Sequence, residues 1–323
     1  MAQRQDLVYF MRMLVTGGAG FIGSNFILRT LMSRPEVNVV VLDSLTYAGK
    51  ESNLQNVQAD LDFVRGDIRD VDLVDRLVAR TDIILNFAAE SHNDNSLRDP
   101  GLFFDTNVMG TLNLARSAVR HDVHLHHIST DEVFGDLPLD SEEEFKLESP
   151  YRPSSPYSAS KASSDHLVRS FGRSFGLRYT ISNCSNNYGP NQDWEKLIPA
   201  TILSILESRK PKVYGTGQNV RDWIHVHDHV DAIWTILDSG ASSETFLVGA
   251  RDRVRNIDVV RTLLEVSGRQ ADEIDYVSDR PGHDLKYAID PSSTERLGWR
   301  PKFTNLLESL GDIFQFYAEE ISR

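Results

Sequence analysis

Short apolar runs alternate with longer amphipathic stretches along the first half of the chain. The apolar runs fall at residues 13–16, 38–43, 61–67, 82–89, 125–130 and 177–183. Between them, residues 24–34, 71–80, 99–121 and a stretch that starts near Pro156 show the spacing of helices with one apolar face. Strands that alternate with helices predict βαβ units and a parallel sheet whose strands are buried on both faces.

The pattern changes after residue 185. Asn, Gly and Pro gather in SNNYGPNQ, and a helical stretch, a short strand and a C-terminal amphipathic helix follow. We therefore predict an α/β protein. A Rossmann-type doubly wound parallel sheet would occupy residues 11–185, and a smaller mixed α/β lobe residues 186–323, with some chain crossing back. A ligand cleft is expected between the two parts, at the carboxyl ends of the strands. The first ten or so residues are predicted to be an irregular extension.

Charge and composition narrow the choice of partners. The formal net charge of −13 argues against nucleic acid or an anionic membrane as a partner, since both need basic surfaces. One cysteine, Cys184, allows no disulfide within the chain. The chain also lacks a signal-peptide-like stretch and any run of 18 apolar residues, so a cytosolic location is predicted.

The turn after the first predicted strand is rich in glycine. In LVTGGAGFIGSN, Gly17, Gly20 and Gly23 are spaced three apart, a variant of the dinucleotide-binding fingerprint. Asp43 ends the second predicted strand and is placed to accept hydrogen bonds from ribose hydroxyls, which favours NAD over NADP. The alternative is a structural strand–helix turn that binds no ligand.

Tyr157 and Lys161 lie four residues apart behind Pro156, so both side chains are expected on one face of a helix. A tyrosine hydroxyl has an ordinary pKa of about 10, and a nearby ammonium group lowers it. Ser129 and Thr130 close the fifth predicted strand. These residues predict oxidation of an alcohol by NAD, although tyrosine and lysine at this spacing also occur on ordinary surface helices.

Two acids follow that strand directly, Asp131 and Glu132. Neighbouring residues on a strand point to opposite faces, so both can serve one site only where the strand has ended and the chain turns. One could then remove a C–H proton made acidic by a neighbouring ketone, while the other helps a hydroxyl leave as water. The alternative is a hydrogen-bonded loop acid beside a solvated one.

With these residues in place, the chain resembles the extended short-chain dehydrogenase/reductases and, within them, the dTDP-glucose 4,6-dehydratases. The likeness runs from about Met13 to the C-terminus. The motifs that carry it are GGAGFIG, AAESH, STDEVFGD, SPYSASKASSDH, NCSNNYGP, EKLIP, RDW and DRPGHD. The adjacent Asp and Glu separate this group from related epimerases and decarboxylases, which keep only the tyrosine and lysine.

The resemblance implies a role for each chemical group. Tyr157 would take the proton of the sugar 4-OH while NAD accepts hydride from C4, with Lys161 lowering the tyrosine pKa. Thr130 would orient the 4-oxygen. Glu132 would remove the C5 proton and Asp131 would protonate the departing 6-OH, after which the hydride returns to C6.

It also implies the binding residues. Those for the cofactor are Gly17, Gly20, Phe21, Ile22, Gly23, Asp43, Asp67, Ile68, Ala88, Ala89, Thr106, Tyr157 and Lys161. Those for a nucleotide-diphosphate sugar are Ser91, Asn186, Glu195, Lys196, Arg221, Arg280 and His283. A homodimer is implied as well, with the helices at 99–121 and 157–175 pairing into a four-helix bundle.

The chain departs from the family pattern at three positions near the implied substrate. Asn93 and Asn95 stand in HNDNS where the family usually has HVDRS, and Leu247 replaces an asparagine near the diphosphate. The nucleotide and hexose therefore stay open, as for a secondary-metabolite enzyme acting on a related sugar. Alternatives are a 5,6-dehydratase, a 4-epimerase, or an NAD-binding regulatory protein without catalysis.

A group of histidines raises the question of a metal site. His225, His227 and His229 alternate as they would on one face of a strand. No cysteine or carboxylate set completes the group, so no metal is expected.

Overall fold

The computed structural model describes residues 11–322, so the predicted N-terminal extension lies outside the described residues. The strands are β1 Met11–Thr16, β2 Val37–Asp43, β3 Leu61–Arg65, β4 Ile83–Asn86, β5 His124–Thr130, β6 Tyr179–Cys184, β7 Asn186–Tyr188, β8 Lys212–Tyr214, β9 Val220–His225, β10 Glu244–Val248, β11 Asp252–Arg255 and β12 Asp275–Val277.

The helices are α1 Phe21–Ser33, α2 Val71–Val78, α3 Asn93–Arg98, α4 Pro100–Phe103, α5 Thr111–His121, α6 Pro156–Phe175, α7 Leu197–Leu206, α8 Val226–Asp238, α9 Asn256–Val266, α10 Ser292–Glu295 and α11 Leu306–Ser322. A π-helical stretch, Phe104–Gly110, joins α4 to α5. Short 3₁₀ turns occur at Glu51–Leu54, Gln58–Asp60 and Asp131–Phe134.

Seven parallel strands form the main sheet in the order β3-β2-β1-β4-β5-β6-β10. The chain moves outward from β1 in one direction and from β4 in the other, so the order reverses between these two strands. Helices α2, α5 and α6 cover one face around Leu114, and α1 and α8 cover the other around Phe26. The predicted doubly wound sheet is confirmed, and a cleft is expected where the order reverses.

The later part of the chain has its own core and also returns to the main sheet. The sheets β11-β9-β7 and β12-β8 pack with α7, α9 and α11 around a buried cluster that includes Tyr188, Leu263 and Leu310. Strand β10 pairs with β6, and α8 packs on α1. This return explains why the cleft has walls from both halves of the sequence.

The helix predicted over residues 99–121 is interrupted. The π-helical stretch widens its middle, and the buried Asn107 lies in that stretch. Its Oδ1 accepts a hydrogen bond from the Glu90 backbone N–H at 2.8 Å, and its Nδ2 donates to Ser160 Oγ at 2.8 Å. The widened turn thus aims one polar side chain at α6 and at the loop after β4, which the apolar periodicity of the sequence does not reveal.

The strand prediction for residues 225–229 is wrong. Strand β9 ends at His225, whose Nδ1 caps α8 by accepting a hydrogen bond from the His227 backbone N–H at 3.2 Å. His229 is instead buried on the helix and hydrogen-bonded to Asn187 Oδ1 at 2.9 Å. Within residues 11–322 no group of three or more metal-binding side chains comes together, and no helix there has the length and apolarity to span a membrane.

Buried histidines make stability depend on pH. His126 on β5 is fully buried, and burial lowers its pKa to about 3. An unfolded histidine takes up a proton below about pH 6.5, which the folded His126 does only near pH 3. This site should therefore lower the free energy of unfolding by about 1.4 kcal/mol per pH unit as the pH falls through that window.

The corresponding variant is His126→Gln, followed by urea unfolding between pH 6.5 and 4.5. We expect its free energy of unfolding to fall less steeply with decreasing pH than that of the unsubstituted protein. His166→Gln, at an exposed histidine, controls for the substitution itself. Equal slopes for His126→Gln and the unsubstituted protein would contradict the prediction.

Candidate active site

The glycine-rich turn between β1 and α1 brings three backbone segments into close contact. Gly17 has φ +68°, and a Cβ there would lie 2.6 Å from the Ala88 backbone nitrogen. A Cβ at Gly23 would lie 2.4 Å from the Gly17 carbonyl oxygen. Only glycine leaves this room, so the spacing predicted from the sequence corresponds to a real constraint on the backbone.

This turn forms one end of a cleft that encloses about 1490 Å³, open solvent at its mouth included. All the predicted cofactor residues line the cleft, namely Gly17, Gly20, Phe21, Ile22, Gly23, Asp43, Asp67, Ile68, Ala88, Ala89, Thr106, Tyr157 and Lys161. Thr130, Glu132, Ser91, Asn186 and Lys196 line it as well. The structure therefore brings the expected cofactor residues and the expected catalytic residues other than Asp131 into one space.

Asp43 lies at the end of β2, within the cleft. Its Oδ2 accepts a hydrogen bond from the Ala19 backbone N–H at 2.9 Å, and its Oδ1 accepts one from the Leu45 N–H at 2.8 Å. Burial raises the pKa of this carboxyl, and the two backbone hydrogen bonds oppose that rise. A carboxylate oxygen accepts more than one hydrogen bond, so ribose hydroxyls can still be bound. With the glycine turn, these residues fit a dinucleotide such as NAD.

The two adjacent acids stand where the main sheet meets the cleft. Strand β5 ends at Thr130, and Asp131–Phe134 form a 3₁₀ turn capped by Thr130 Oγ1, which accepts a hydrogen bond from the Glu132 N–H at 3.3 Å. The expectation that the strand ends before the acids is confirmed. Glu132 lines the cleft, whereas Asp131 is buried behind it.

Burial of Asp131 raises its pKa well above the ordinary value, and the nearby charge of Glu132 raises it further. Its Oδ1 accepts a hydrogen bond from Thr130 Oγ1 at 3.3 Å, while Oδ2 has no hydrogen-bond partner among the described residues. Burial therefore favours the protonated form of Asp131, which suits a group that donates a proton, while Glu132 faces the cleft.

Tyr157 and Lys161 are both buried on α6, which begins with a capping box built on Ser155. Lys161 Nζ donates to the Ile128 carbonyl oxygen at 2.7 Å, and burial lowers the pKa of this lysine to about 8. Burial, and then the charge of Glu132, raise the pKa of Tyr157 well above 10. The protein's own groups therefore do not produce the lowering of the Tyr157 pKa that was expected from Lys161. Such a lowering needs a further positive charge in the cleft.

The predicted substrate residues divide into two sets. Ser91, Asn186 and Lys196 line the cleft, with Lys196 Nζ donating to the Ser91 carbonyl oxygen at 3.0 Å. Glu195, Arg221, Arg280 and His283 are not among the described residues that line the cleft. Three of them nevertheless lie near residues of the site, because their charges act on pKa values there. Arg221 opposes the rise in the pKa of Asp131. Arg280 adds to the lowering that burial causes in the pKa of Lys196, and Glu195 opposes it.

The residues of the second set are held by specific contacts. The buried Arg221 guanidinium lies 4.3 Å from the centre of the Tyr287 ring and donates to the Asp284 carbonyl oxygen at 3.0 Å. Three further pairs involve Arg280 with Asp94 at 3.5 Å, His283 with Asp279 at 2.6 Å and Glu195 with His92 at 3.7 Å.

The three departures from the family pattern fall in different places. Leu247 is fully buried on β10 in an apolar cluster with Phe134 and Ile289, so the interpretation that it changes the substrate edge is wrong. Asn95 lines a cavity next to the cleft. Asn93 donates from Nδ2 to Glu132 Oε2 at 3.0 Å, a contact that sequence reasoning missed. The available signal was an amide where the family usually has an apolar side chain.

Comparison with known proteins agrees with this arrangement. A family model described as GDP-mannose 4,6 dehydratase matches residues 14–310. A dTDP-glucose 4,6-dehydratase of Mycolicibacterium smegmatis is 52% identical over 308 residues, which cover 95% of this chain and 93% of the relative. The chain belongs to the dTDP-glucose 4,6-dehydratase family. Another relative, dTDP-glucose 4,6-dehydratase 1 of Escherichia coli, is 43% identical over 323 residues, with coverage of 91% and 89%.

Solved structures of this dehydratase family and of epimerases share the fold. DesIV, a dTDP-glucose 4,6-dehydratase from Streptomyces venezuelae solved with NAD and TYD bound, matches with a TM-score of 0.92 and 42% identity, covering 97% of this chain and 98% of DesIV. The UDP-glucose 4-epimerase of Thermus thermophilus, solved with NAD, matches with a TM-score of 0.87 and 30% identity, with coverage of 95% and 99%.

The glycine turn gives a direct test of the cleft. We expect Gly17→Ala to weaken NAD binding at least about tenfold, or about 1.4 kcal/mol, because the added Cβ would push the turn away from Ala88. Calorimetric titration of cofactor-stripped protein measures the affinity. Gly240→Ala is the matched control, since Gly240 has φ +70° and nothing within 4 Å of an added Cβ. An equal loss of affinity in both variants would contradict the prediction.

Proposed function

We propose that this protein is an NAD-dependent nucleotide-sugar 4,6-dehydratase that converts dTDP-glucose to the 4-keto-6-deoxy sugar. The observation that carries the proposal is the pair at the end of β5: Asp131, whose burial raises its pKa well above the ordinary value, and Glu132 in the cleft that Tyr157 also lines. Loss of water across C5–C6 needs one group that removes a proton and one that donates a proton. Dehydratases of this name are 52% identical to the chain.

The mechanism assigns one task to each group. NAD bound in the cleft supplies the acceptor for hydride from C4 and the donor of hydride to C6. Tyr157 takes the proton of the 4-OH, which is hydrogen-bonded by Thr130, and Lys161 adds positive charge at the wall of the cleft. Glu132 removes the C5 proton, and Asp131 gives a proton to the 6-OH as it leaves as water. Glu132 then returns its proton to C5. Tyr157 is left with the proton of the 4-OH and Asp131 without its own, so one proton passes from Tyr157 to Asp131, directly or through solvent, before the next cycle.

Asp131 has to reach the sugar for this role. Its carboxyl is buried behind the wall of the cleft, and one oxygen has no partner among the described residues, so no hydrogen bond to that oxygen resists a turn of the side chain toward a bound hexose. The charge of Arg221 acts on Asp131, which supports placing the hexose between the main sheet and the later part of the chain.

Further parts of the assignment rest on the same proposal. Residues 11–185 would bind NAD and residues 186–323 the nucleotide sugar. Arg221, Arg280 and Lys196 would hold the diphosphate, with Asn186, Glu195 and His283 around the sugar and nucleotide. The cytosol is the proposed location, since the reaction needs NAD and a nucleotide-activated sugar.

A panel of nucleoside-diphosphate hexoses tests the reaction. We expect dTDP-glucose to give a product lighter by one water, with the alkaline absorbance of a 4-keto-6-deoxy sugar. In deuterated water, solvent deuterium should enter C5, while deuterium placed at C4 should move to C6. Mass spectrometry and NMR measure both labels, and Tyr157→Phe serves as the inactive control. A product that has lost no water would point to an epimerase and contradict the proposal.

We also propose a homodimer formed through the helices around Phe104–Gly110, α5 and α6. Phe104 and Met109 are large apolar side chains that stand 40% and 49% exposed in the π-helical stretch, which supports a covered surface there. A pair of such surfaces related by a two-fold axis would form the four-helix bundle predicted from the sequence.

The proposed dimer can be tested by placing one charged side chain in its expected interface. Met109→Glu should convert a species of twice the 36.5 kDa chain mass into single chains, because a carboxylate is costly to bury in an apolar contact. Size-exclusion chromatography with light scattering gives the mass. Met32→Glu is the control, since Met32 on α1 is 86% exposed. If the unsubstituted protein is a monomer, the proposed dimer is contradicted.

A further inference from the structure

We infer that Asn93 is a positioning residue that holds Glu132 in place for removal of the C5 proton; this inference rests on the proposed function. Asn93 is the first residue of α3 and lies beside the cleft. Its Nδ2 donates a hydrogen bond to Glu132 Oε2 at 3.0 Å. That bond engages one carboxylate oxygen, and Oε1 is the oxygen that we assign to the sugar.

A second hydrogen bond fixes which way the amide points. Asn93 Oδ1 accepts from Ser155 Oγ at 2.9 Å. Ser155 Oγ also accepts from the Ser158 backbone N–H at 3.1 Å as the N-cap of α6. Its single proton has two acceptors within reach, Asn93 Oδ1 at 2.9 Å and Ser158 Oγ at 3.0 Å, and Ser158 Oγ already accepts from the Ser155 backbone N–H at 3.0 Å. With its oxygen held by a donor, Asn93 presents its NH₂ group to Glu132. The orientation therefore follows from the chemistry of both neighbours.

These two bonds connect the proposed base with the helix that carries the tyrosine. Ser155 caps α6, and Tyr157 is the second residue of that helix. Asn93 thus ties Glu132 to the same rigid element as Tyr157, so the two groups that act on C5 and on the 4-oxygen keep a constant separation. An apolar side chain at residue 93 makes neither bond.

The experiment compares Asn93→Leu and Asn93→Asp with the unsubstituted protein on dTDP-glucose. Both variants keep roughly the size of the side chain and lose the donor, and the second adds a repelling charge. We expect kcat to fall about 10- to 100-fold, the range for a lost hydrogen bond to a charged group. We expect KM to change less than about threefold, because Asn93 is assigned to the proton transfer rather than to binding.

Accumulation of reduced nicotinamide separates positioning from a general structural effect. Reduced nicotinamide, seen by its absorbance, should build up during turnover, because oxidation at C4 proceeds while removal of the C5 proton is slowed. Glu132→Gln removes the proposed base altogether and therefore shows the largest effect that loss of the base can have on this readout.

Asn305→Asp is the matched control. Asn305 Nδ2 donates to Glu308 Oε1 at 2.7 Å on an exposed surface, so the same exchange removes the same type of bond far from the cleft. If the Asn93 variants behave like this control while the unsubstituted protein dehydrates the sugar, the inference is overturned and the proposed function stands.

A crystal structure of Asn93→Leu provides a further test of the inference that does not depend on enzyme activity. We expect the Glu132 carboxylate to leave the position it holds next to residue 93. An unchanged carboxylate would overturn the inference, even if the unsubstituted protein dehydrated none of the sugars and the proposed function failed. Should Asn93→Leu not fold, Asn93→Asp, the closer isostere, is used for the same comparison.

Discussion

The active site depends on the place where β5 ends. Thr130 is the last strand residue, and the 3₁₀ turn that follows puts Asp131 into the protein interior and Glu132 into the cleft. Burial raises the pKa of Asp131 well above its ordinary value, and the charge of the neighbouring Glu132 raises it further, so the two acids differ in their tendency to hold a proton. The difference between acid and base thus arises from one turn of backbone.

The charge of Glu132 links the other ionisable groups. Burial raises the pKa values of Asp131 and Tyr157, and the charge of Glu132 raises them further. Burial lowers the pKa of Lys196, and the charge of Glu132 opposes that lowering. In the proposed mechanism, Glu132 would lose this charge on accepting the C5 proton, so its contribution to the raised pKa of Asp131 would disappear in the same step. Asp131 would then be a stronger acid when the departing 6-OH needs a proton. The adjacent pair would thus couple the two proposed proton transfers without a direct bond between the carboxyl groups.

The sequence predicted the parts of the site that depend on neighbours along the chain. The glycine spacing, Asp43 and the Tyr157–Lys161 pair each follow from local geometry, and the sheet follows from the alternation of apolar runs. The missed features depend on tertiary contacts. Asn93 and Glu132 are 39 residues apart, and the pKa of Tyr157 depends on burial that no local pattern records. The π-helical stretch and the buried Leu247 likewise follow from packing against other elements.

The protein has a net charge of −13, whereas a diphosphate is an anion and is attracted by positive charge. The contacts of the positively charged side chains near the cleft explain how such a protein can still bind it. Arg221 and Lys196 donate to the backbone carbonyl oxygens of Asp284 and Ser91, which are neutral groups. These carbonyls hold Arg221 and Lys196 without an ion pair among the described residues, whereas Arg280 pairs with Asp94 at 3.5 Å. A buried guanidinium attracts an anion more strongly than an exposed one. Surface carboxylates farther than about 8–10 Å away are screened by salt, so the short-range field at the cleft decides binding. An acidic surface is therefore compatible with a site for a nucleotide diphosphate.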